Sequence, residues 1–432
     1  MQSYGAPGRR VAIIAGVRTP FAKSGTTLKG FSAIELGKRC VAELIQRTEI
    51  DGKLVEAIVY GTVVPSVLAP NIAREVSLLP MLPKGCQAFS VSRACASANQ
   101  AITDAADQIV LGHHDVVIAG GAESLSNVPI LHSRTMSEKL VNFSRAKNPA
   151  QQLRILGSVR PKDFVPITPA IAEPSTGETM GQSADKMAKI NHIPRDEQDH
   201  FALRSHRMAA IGTDDGRLAA EIVPVYVPPK YTTVLTSDNG IRRDTSIEQM
   251  RALKPAFDKK YGTVTAGNAS PLTDGASAVL LMSEERAQVL GYTPLAFIRS
   301  YAYAALDPGE QLLMGPVLAA PMALARAGLT LRDMDLIEMH EAFAAQVLCN
   351  LIGFESQYWA ERAGFSEPLG EVDRSILNVM GGSIAIGHPF GATGGRILTT
   401  LANELVRRGG TFGLMTVCAA GGMGHAMVIE RA

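Results

Sequence analysis

Apolar positions fall into two alternating rhythms along this chain. Short continuous apolar runs at Val11–Ala15, Ala57–Tyr60 and Ala88–Val91 predict buried strands. Between them, Ser32–Arg47 spaces Ile34, Leu36, Val41, Leu44 and Ile45 as one face of a helix. The segment after Cys95 does the same with Ile102, Ala105, Ala106, Ile109 and Val110. Gly112 ends that helix, and Asp115–Ala119 resumes as a strand running into Gly120-Gly121. Strands alternating with helices predict an α/β architecture.

The same unit returns near the C-terminus. Ala392–Arg408 is a helix with Ile397, Leu398, Leu401, Leu405 and Val406 as its stripe. Gly409-Gly410 stops it, and Phe412–Cys418 is a strand leading into Gly421-Gly422. A second correspondence joins residues 53–60 to 332–339. Two copies of one βα-rich unit account for both. Between them the texture changes. Residues 126–249 carry long irregular stretches, and Pro161, Pro166, Pro169 and Pro174 break any helix there. Helical spacing returns at Met180–Ile190 and Asp196–Ile211, with Pro194 ahead of the second. The organisation expected is one half from 1–125 and 250–297, an inserted lobe at 126–249, and a second half from 298–432.

The insertion changes the electrostatic picture. The whole chain of 432 residues has a net charge of +1, which argues against nucleic-acid binding. From Arg134 to Lys162, however, Arg134, Lys139, Arg145, Lys147, Arg154, Arg160 and Lys162 face the single acid Glu138, interleaved with Leu140, Val141, Phe143, Leu153, Ile155 and Leu156. That pattern suits a solvated basic face, or contact with anionic lipid, an acidic partner or ligand phosphates. No apolar run of about eighteen residues predicts a membrane span. Met1 to Arg10 lacks the apolar core of a secretory signal, which sets the expectation of a cytoplasmic enzyme. Cys40, Cys86, Cys95, Cys349 and Cys418 show no close-spaced metal pattern and fit reduced thiols.

Chemistry concentrates at the glycine-rich junctions. Cys95 lies in Val91-Ser-Arg-Ala-Cys-Ala-Ser-Ala-Asn-Gln100, between a strand and a helix. Free N–H groups at a helix start favour a thiolate, although a lone cysteine there is more often a buried structural residue. Asn378-Val-Met-Gly-Gly-Ser-Ile-Ala-Ile-Gly-His388-Pro-Phe-Gly-Ala-Thr-Gly394 packs five glycines around His388. That density lets backbone approach a ligand closely. Both copies of the unit therefore place a reactive side chain at the same junction. Cys418-Ala-Ala-Gly-Gly-Met-Gly424 exposes backbone N–H groups suited to an oxyanion hole, and His340-Glu-Ala-Phe-Ala344 follows the apolar run Leu336–Met339.

With these motifs, Arg18-Thr-Pro-Phe21, Gly120-Gly-Ala-Glu-Ser124, Gly262-Thr-Val-Thr-Ala-Gly-Asn-Ala-Ser270 and Asp274-Gly275, in this order, the chain resembles the thiolase family over nearly its whole length. The resemblance implies duplicated βαβαβ halves forming a five-layered core, a loop domain inserted in the first half, and a dimer or tetramer. Carried over by position, Cys95 takes the acyl group and His388 draws its proton. Cys418 exchanges a proton with acetyl-CoA. The N–H groups of Cys95 and Ala420 form the oxyanion hole, and His388 with His340, or a water it holds, stabilises the acetyl-CoA enolate. Ser270 contacts the pantetheine arm and Met180 lines the acyl pocket. Coenzyme A is a substrate; neither metal nor redox cofactor is implied.

Departures from the common pattern narrow the expectation. Many thiolases carry asparagine where this chain has His340, and glycine at Ala98 and Ala420. The His340-Glu-Ala-Phe form, with the Cys95 and Cys418 motifs, resembles the β subunit of fatty-acid oxidation complexes. That implies degradative thiolysis of medium- or long-chain 3-ketoacyl-CoA. It also implies a partner α subunit carrying hydratase and dehydrogenase activities, with the basic insertion as docking or membrane-surface element. A biosynthetic acetoacetyl-CoA thiolase is the alternative, since the same residues serve the reverse reaction. A decarboxylating ketosynthase fits less well, because it has no use for the second thiol of Cys418. A catalytically silent structural subunit has no use for any of the three reactive groups.

Overall fold

The computed structural model describes residues 9–167 and 172–432. Residues 1–8, which dominate the expectation about the chain's start, and Pro169 lie outside the described residues. A ten-stranded sheet spans the molecule. Its main strands are β1 (Val11–Arg18), β2 (Ala57–Gly61), β3 (Gln87–Val91), β4 (Val116–Glu123), β5 (Thr273–Ser283), β6 (Ala296–Ala305), β7 (Leu336–Met339), β8 (Phe412–Ala419) and β9 (Met423–Arg431). They lie in the order β7-β8-β9-β6-β1-β5-β4-β2-β3, with Ala22–Lys23 added beside β5.

The duplication is visible in the pairing directions. In the first half β2 runs parallel to β4, which pairs antiparallel with β5, which pairs antiparallel with β1. In the second, β7 runs parallel to β8, then β9 and β6 follow antiparallel. The halves join where β1 meets β6, Ala12 opposite Phe297. Even β3 has an echo, a parallel bridge between Ile337 and Leu377.

The longer helices are α1 (Ala33–Thr48), α2 (Ser97–Val110), α3 (Arg134–Arg145), α4 (Pro149–Gly157), α5 (Met180–Ile190), α6 (Arg195–Asp214), α7 (Gly315–Ala327), α8 (Ala344–Phe354) and α9 (Thr393–Arg408). Strand side chains alternate between layers, as a period of two requires. On β4, Val117 and Ala119 pack in the central layer, where Ile102, Ala105 and Ile109 of α2 meet Ile397, Leu398 and Leu401 of α9. Val116 and Ile118 face outward, onto Leu36, Val41 and Leu44 of α1. Leu414 and Val428 of the second half pack outward with Leu318 and Leu348 of α7 and α8. Helix, sheet, paired helices, sheet, helix make five layers. Each fully buried Leu or Ile in them contributes about 1.5–3 kcal/mol.

α2 and α9 approach closely because Gly394 has no side chain. A Cβ there would lie 2.2 Å from Oδ1 of Asn99 and 2.8 Å from its backbone nitrogen. Two expectations are corrected. The strand at Ala88–Val91 is not buried: it is the sheet's edge, with Phe89 exposed. Val406 is half exposed, because the helical stripe of α9 turns away from the core in its last turn. In the basic stretch, Lys139 pairs with Asp163 at 2.6 Å, an acid just past the run, while Leu140, Val141, Leu153, Leu156, Phe164 and Val165 stand in solvent.

Candidate active site

Cys95 is the last residue before Ala96, the N-cap of α2. Ala94 takes a positive φ of 46°, and Ser97 locks the turn by donating from Oγ to its carbonyl at 2.7 Å while accepting from the Arg93 N–H at 2.8 Å. That turn presents the sulfur to His388, whose Nε2 lies 3.2 Å away. Gly387, at φ 115°, precedes the histidine, and a bridge to Leu272 fixes its backbone. Thr393 Oγ1 donates its one proton to the Pro389 carbonyl at 3.1 Å, so at its 2.6 Å contact with His388 Nδ1 the imidazole is the donor. The Nε2 lone pair therefore faces the thiol.

The helix start favours a Cys95 thiolate, and burial opposes it. Burial pushes the Cys95 thiol up to about 12, and Glu123 adds to the rise; the N–H groups of Ala420 and Cys95 itself pull the other way and lose. Burial, with Arg396 nearby, pushes His388 down to about 3. Both shifts favour a neutral thiol beside a neutral imidazole.

The repeat is also looser than the sequence implied. Cys95 directly precedes the N-cap of α2, whereas His388 lies four residues before Ala392, the N-cap of α9. The intervening Pro389-Phe-Gly391 turn carries the ring across to the cysteine. Glu123 holds that turn in place. Its carboxylate, buried at the end of β4, accepts from the N–H groups of Gly391, Val63 and Val64 at 2.9–3.0 Å and from Thr62 at 3.2 Å.

Cys418 is buried on β8, with its thiol raised well above the ordinary range by burial and by Cys95. Both causes favour the neutral thiol. The following turn, through Gly421 and Gly422 at positive φ, is held by Glu173, whose carboxylate accepts from the Gly421 N–H at 2.9 Å. His340, just past β7, is fully buried, and its ring lies 4.1 Å from that of His388. Its Nδ1 is 2.9 Å from Ser383 Oγ. The loop is braced by Glu341, which takes Ser205 Oγ–H at 2.6 Å and Asn378 Nδ2–H at 2.7 Å.

Ser270 donates its N–H to the Ala342 carbonyl at 3.0 Å, which puts it beside the His340 loop. Lys23, His206, Arg242, Ala269, Pro271 and Ile384 line a cleft there. Met180, first residue of α5, packs on the apolar cluster that contains Phe343 and Cys418. Of the residues the sequence named, Cys95, His388 and His340 lie together, and those that hold them were missed: Thr393, Glu123, Glu173, Asn378 and Ser383. Thr393 and Ser383 lay inside the glycine-rich run, but nothing in a linear pattern says which hydroxyl meets which ring. Donor atoms of Cys95, His340 and His388 lie within 4.8 Å of one another, a set chemically able to bind a thiophilic ion; bridging by an ion would occupy the atoms that move the proton.

Family models described as "Thiolase, N-terminal domain" and "Thiolase, C-terminal domain" match residues 11–285 and 292–431. A 3-ketoacyl-CoA thiolase of Pectobacterium atrosepticum is 52% identical over 98% of this chain and 97% of its own length. One of Shewanella piezotolerans is 50% identical over 99% and 98%. Among solved structures, human mitochondrial 3-ketoacyl-CoA thiolase in complex with CoA superposes with a TM-score of 0.82 at 32% identity, covering 98% of each chain. The Bacillus anthracis acetyl-CoA acetyltransferase gives 0.83 at 32% identity, covering 98% and 99%. The chain belongs to the thiolase family.

Proposed function

We propose that this enzyme is a 3-ketoacyl-CoA thiolase of fatty-acid β-oxidation, cleaving medium- or long-chain 3-ketoacyl-CoA with coenzyme A through an acyl-enzyme on Cys95. The carrying observation is the 3.2 Å contact of Cys95 Sγ with His388 Nε2, in a site that also holds the buried thiol of Cys418. In the proposed sequence, His388 Nε2 takes the Cys95 proton as Sγ attacks the 3-keto carbon. The oxyanion forms against the N–H groups of Cys95 and Ala420. Collapse breaks the C2–C3 bond and leaves acetyl-CoA as its enolate, whose oxygen accepts from His388 and His340. Cys418 gives its proton to C2. Its thiolate then draws the proton of incoming CoA, whose sulfur attacks the acyl-enzyme and releases Cys95. No step calls for a metal or redox cofactor. Ser270, between Ala269 and Pro271 of the cleft that Lys23 and Arg242 also line, suits the pantetheine arm, and Met180 suits the acyl chain.

The domain division at 126–249, a cytoplasmic location and a dimer or tetramer complete the reading. Among the described residues no helix is long and apolar enough to cross a membrane. The exposed apolar and basic side chains of α3, α4 and Phe164-Val165 support an α subunit or an anionic membrane surface as partner. Exchange of Arg145, Lys147, Arg154, Arg160 and Lys162 for glutamine should abolish co-sedimentation with anionic liposomes or with a candidate α subunit; unchanged binding removes the idea. The acetyl-CoA acetyltransferase among the solved relatives favours a second reading, short-chain condensation. Steady-state thiolysis across a series from acetoacetyl-CoA to long-chain 3-ketoacyl-CoA separates the two. The proposal requires kcat/KM to rise with chain length, and activity confined to acetoacetyl-CoA contradicts it.

A further inference from the structure

His340 is a neutral imidazole with one ring proton, and its two nitrogens see different surroundings. Burial, His388 and Arg396 all disfavour its charged form. Nδ1 faces Ser383 Oγ at 2.9 Å, while buried Nε2 has no hydrogen-bond partner among the described residues. Ser383 Oγ is in turn 3.1 Å from an Nη2 of Arg396, a side chain fully buried in α9 and also 3.5 Å from Glu338. A guanidinium only donates. One lone pair of the serine oxygen is therefore taken by Arg396, and among the described residues the acceptor placed to receive the serine's own proton is His340 Nδ1.

We propose that Ser383, oriented by Arg396, fixes His340 as the Nε2–H tautomer, and that the two are positioning residues for the enolate step. The consequence is a pair of adjacent imidazoles held in opposite states. Thr393 leaves His388 with a bare Nε2 that can accept the Cys95 proton. Ser383 leaves His340 with an Nε2–H that can only donate. With one ring a base and its neighbour a donor, the enzyme does not lose turnovers to the wrong proton distribution. An asparagine amide would always offer a donor and need no such partner; a histidine does need one. A structural alternative exists, since removing Ser383 Oγ also strips a buried Arg396 N–H of its acceptor, which costs about 1–3 kcal/mol wherever it happens.

The inference rests on His340 donating to substrate oxygen, and a double-mutant cycle separates the two ideas. The readouts are exchange of the acetyl-CoA methyl protons into D2O, which reports enolate formation, and the rate of Cys95 acylation by a saturated acyl-CoA, which does not. Ser383→Ala should slow exchange by about tenfold or more and leave acylation within about twofold. In a His340→Asn background, Ser383→Ala should change exchange by less than about twofold. An equal loss in both backgrounds makes Ser383 merely structural and overturns the proposal while leaving the role of His340 intact. Unimpaired exchange in His340→Ala overturns that role and the proposal with it. Nitrogen-15 NMR of histidine-labelled wild-type enzyme, with His340 assigned by its disappearance in His340→Asn, needs no destabilised variant. It should show Nδ1 of His340 as the unprotonated nitrogen, and a protonated Nδ1 overturns the proposal outright.

Discussion

Oγ1 of Thr393 lies 2.6 Å from Nδ1 of His388 and spends its own proton on the Pro389 carbonyl, so this hydroxyl decides which nitrogen of His388 faces Cys95. Thr393→Val keeps the shape and removes the acceptor. It should lower kcat/KM for thiolysis by about ten- to a hundredfold, with a thermal midpoint near that of the wild type. Wild-type kinetics in this variant would mean that another group orients the ring.

The neutral resting pair has a pH signature. A cysteine raised to about 12 carries little thiolate near neutrality, and its thiolate fraction grows with each unit of pH below that value. A histidine lowered to about 3 stays unprotonated over the same range and supplies no ion pair. The rate of Cys95 alkylation by iodoacetamide should therefore climb steadily from about pH 6 to about pH 9. A rate that is flat across this range would reveal a preformed thiolate–imidazolium pair.

Glu123 joins four donors from two loops, and Gln at this position would turn one acceptor oxygen into an N–H₂ facing N–H groups. Glu123→Gln should cost about 2–4 kcal/mol in denaturant unfolding. It should also slow acylation, because the Gly391 turn carries His388. An unfolding midpoint unmoved from wild type would show that the carboxylate is not holding the turn.

Much of the architecture was legible in the sequence because repetition is a linear signal. The stripes of α2 and α9, their terminating glycines and the strands beyond them repeat, and the pairing directions of the two half-sheets repeat with them. Boundaries failed where burial, not periodicity, decides. Gln87–Val91 carries apolar residues yet forms the edge, because nothing in its own pattern says which strand is outermost. In the site, Cys95, His388, His340 and Cys418 stood out by residue type and glycine context. Their supports did not, since Arg396 reads as an ordinary charge on an amphipathic helix, and Glu173 lies far along the chain from the Gly421 turn it braces. The burial of Cys95 was not legible either: a helix start favours thiolate locally, and the desolvation that opposes it depends on how the folded chain packs around the sulfur.

In the proposed mechanism Cys95 carries the acyl group while Cys418 acts as an acid. Mixing the enzyme with a saturated acyl-CoA, quenching in acid and mapping the thioester by peptide mass spectrometry tests it most directly. The acyl mass should appear on the peptide containing Cys95 and not on that containing Cys418, with no adduct in Cys95→Ala. An acyl group found on Cys418, or thiolysis at full rate in Cys95→Ala, would contradict it.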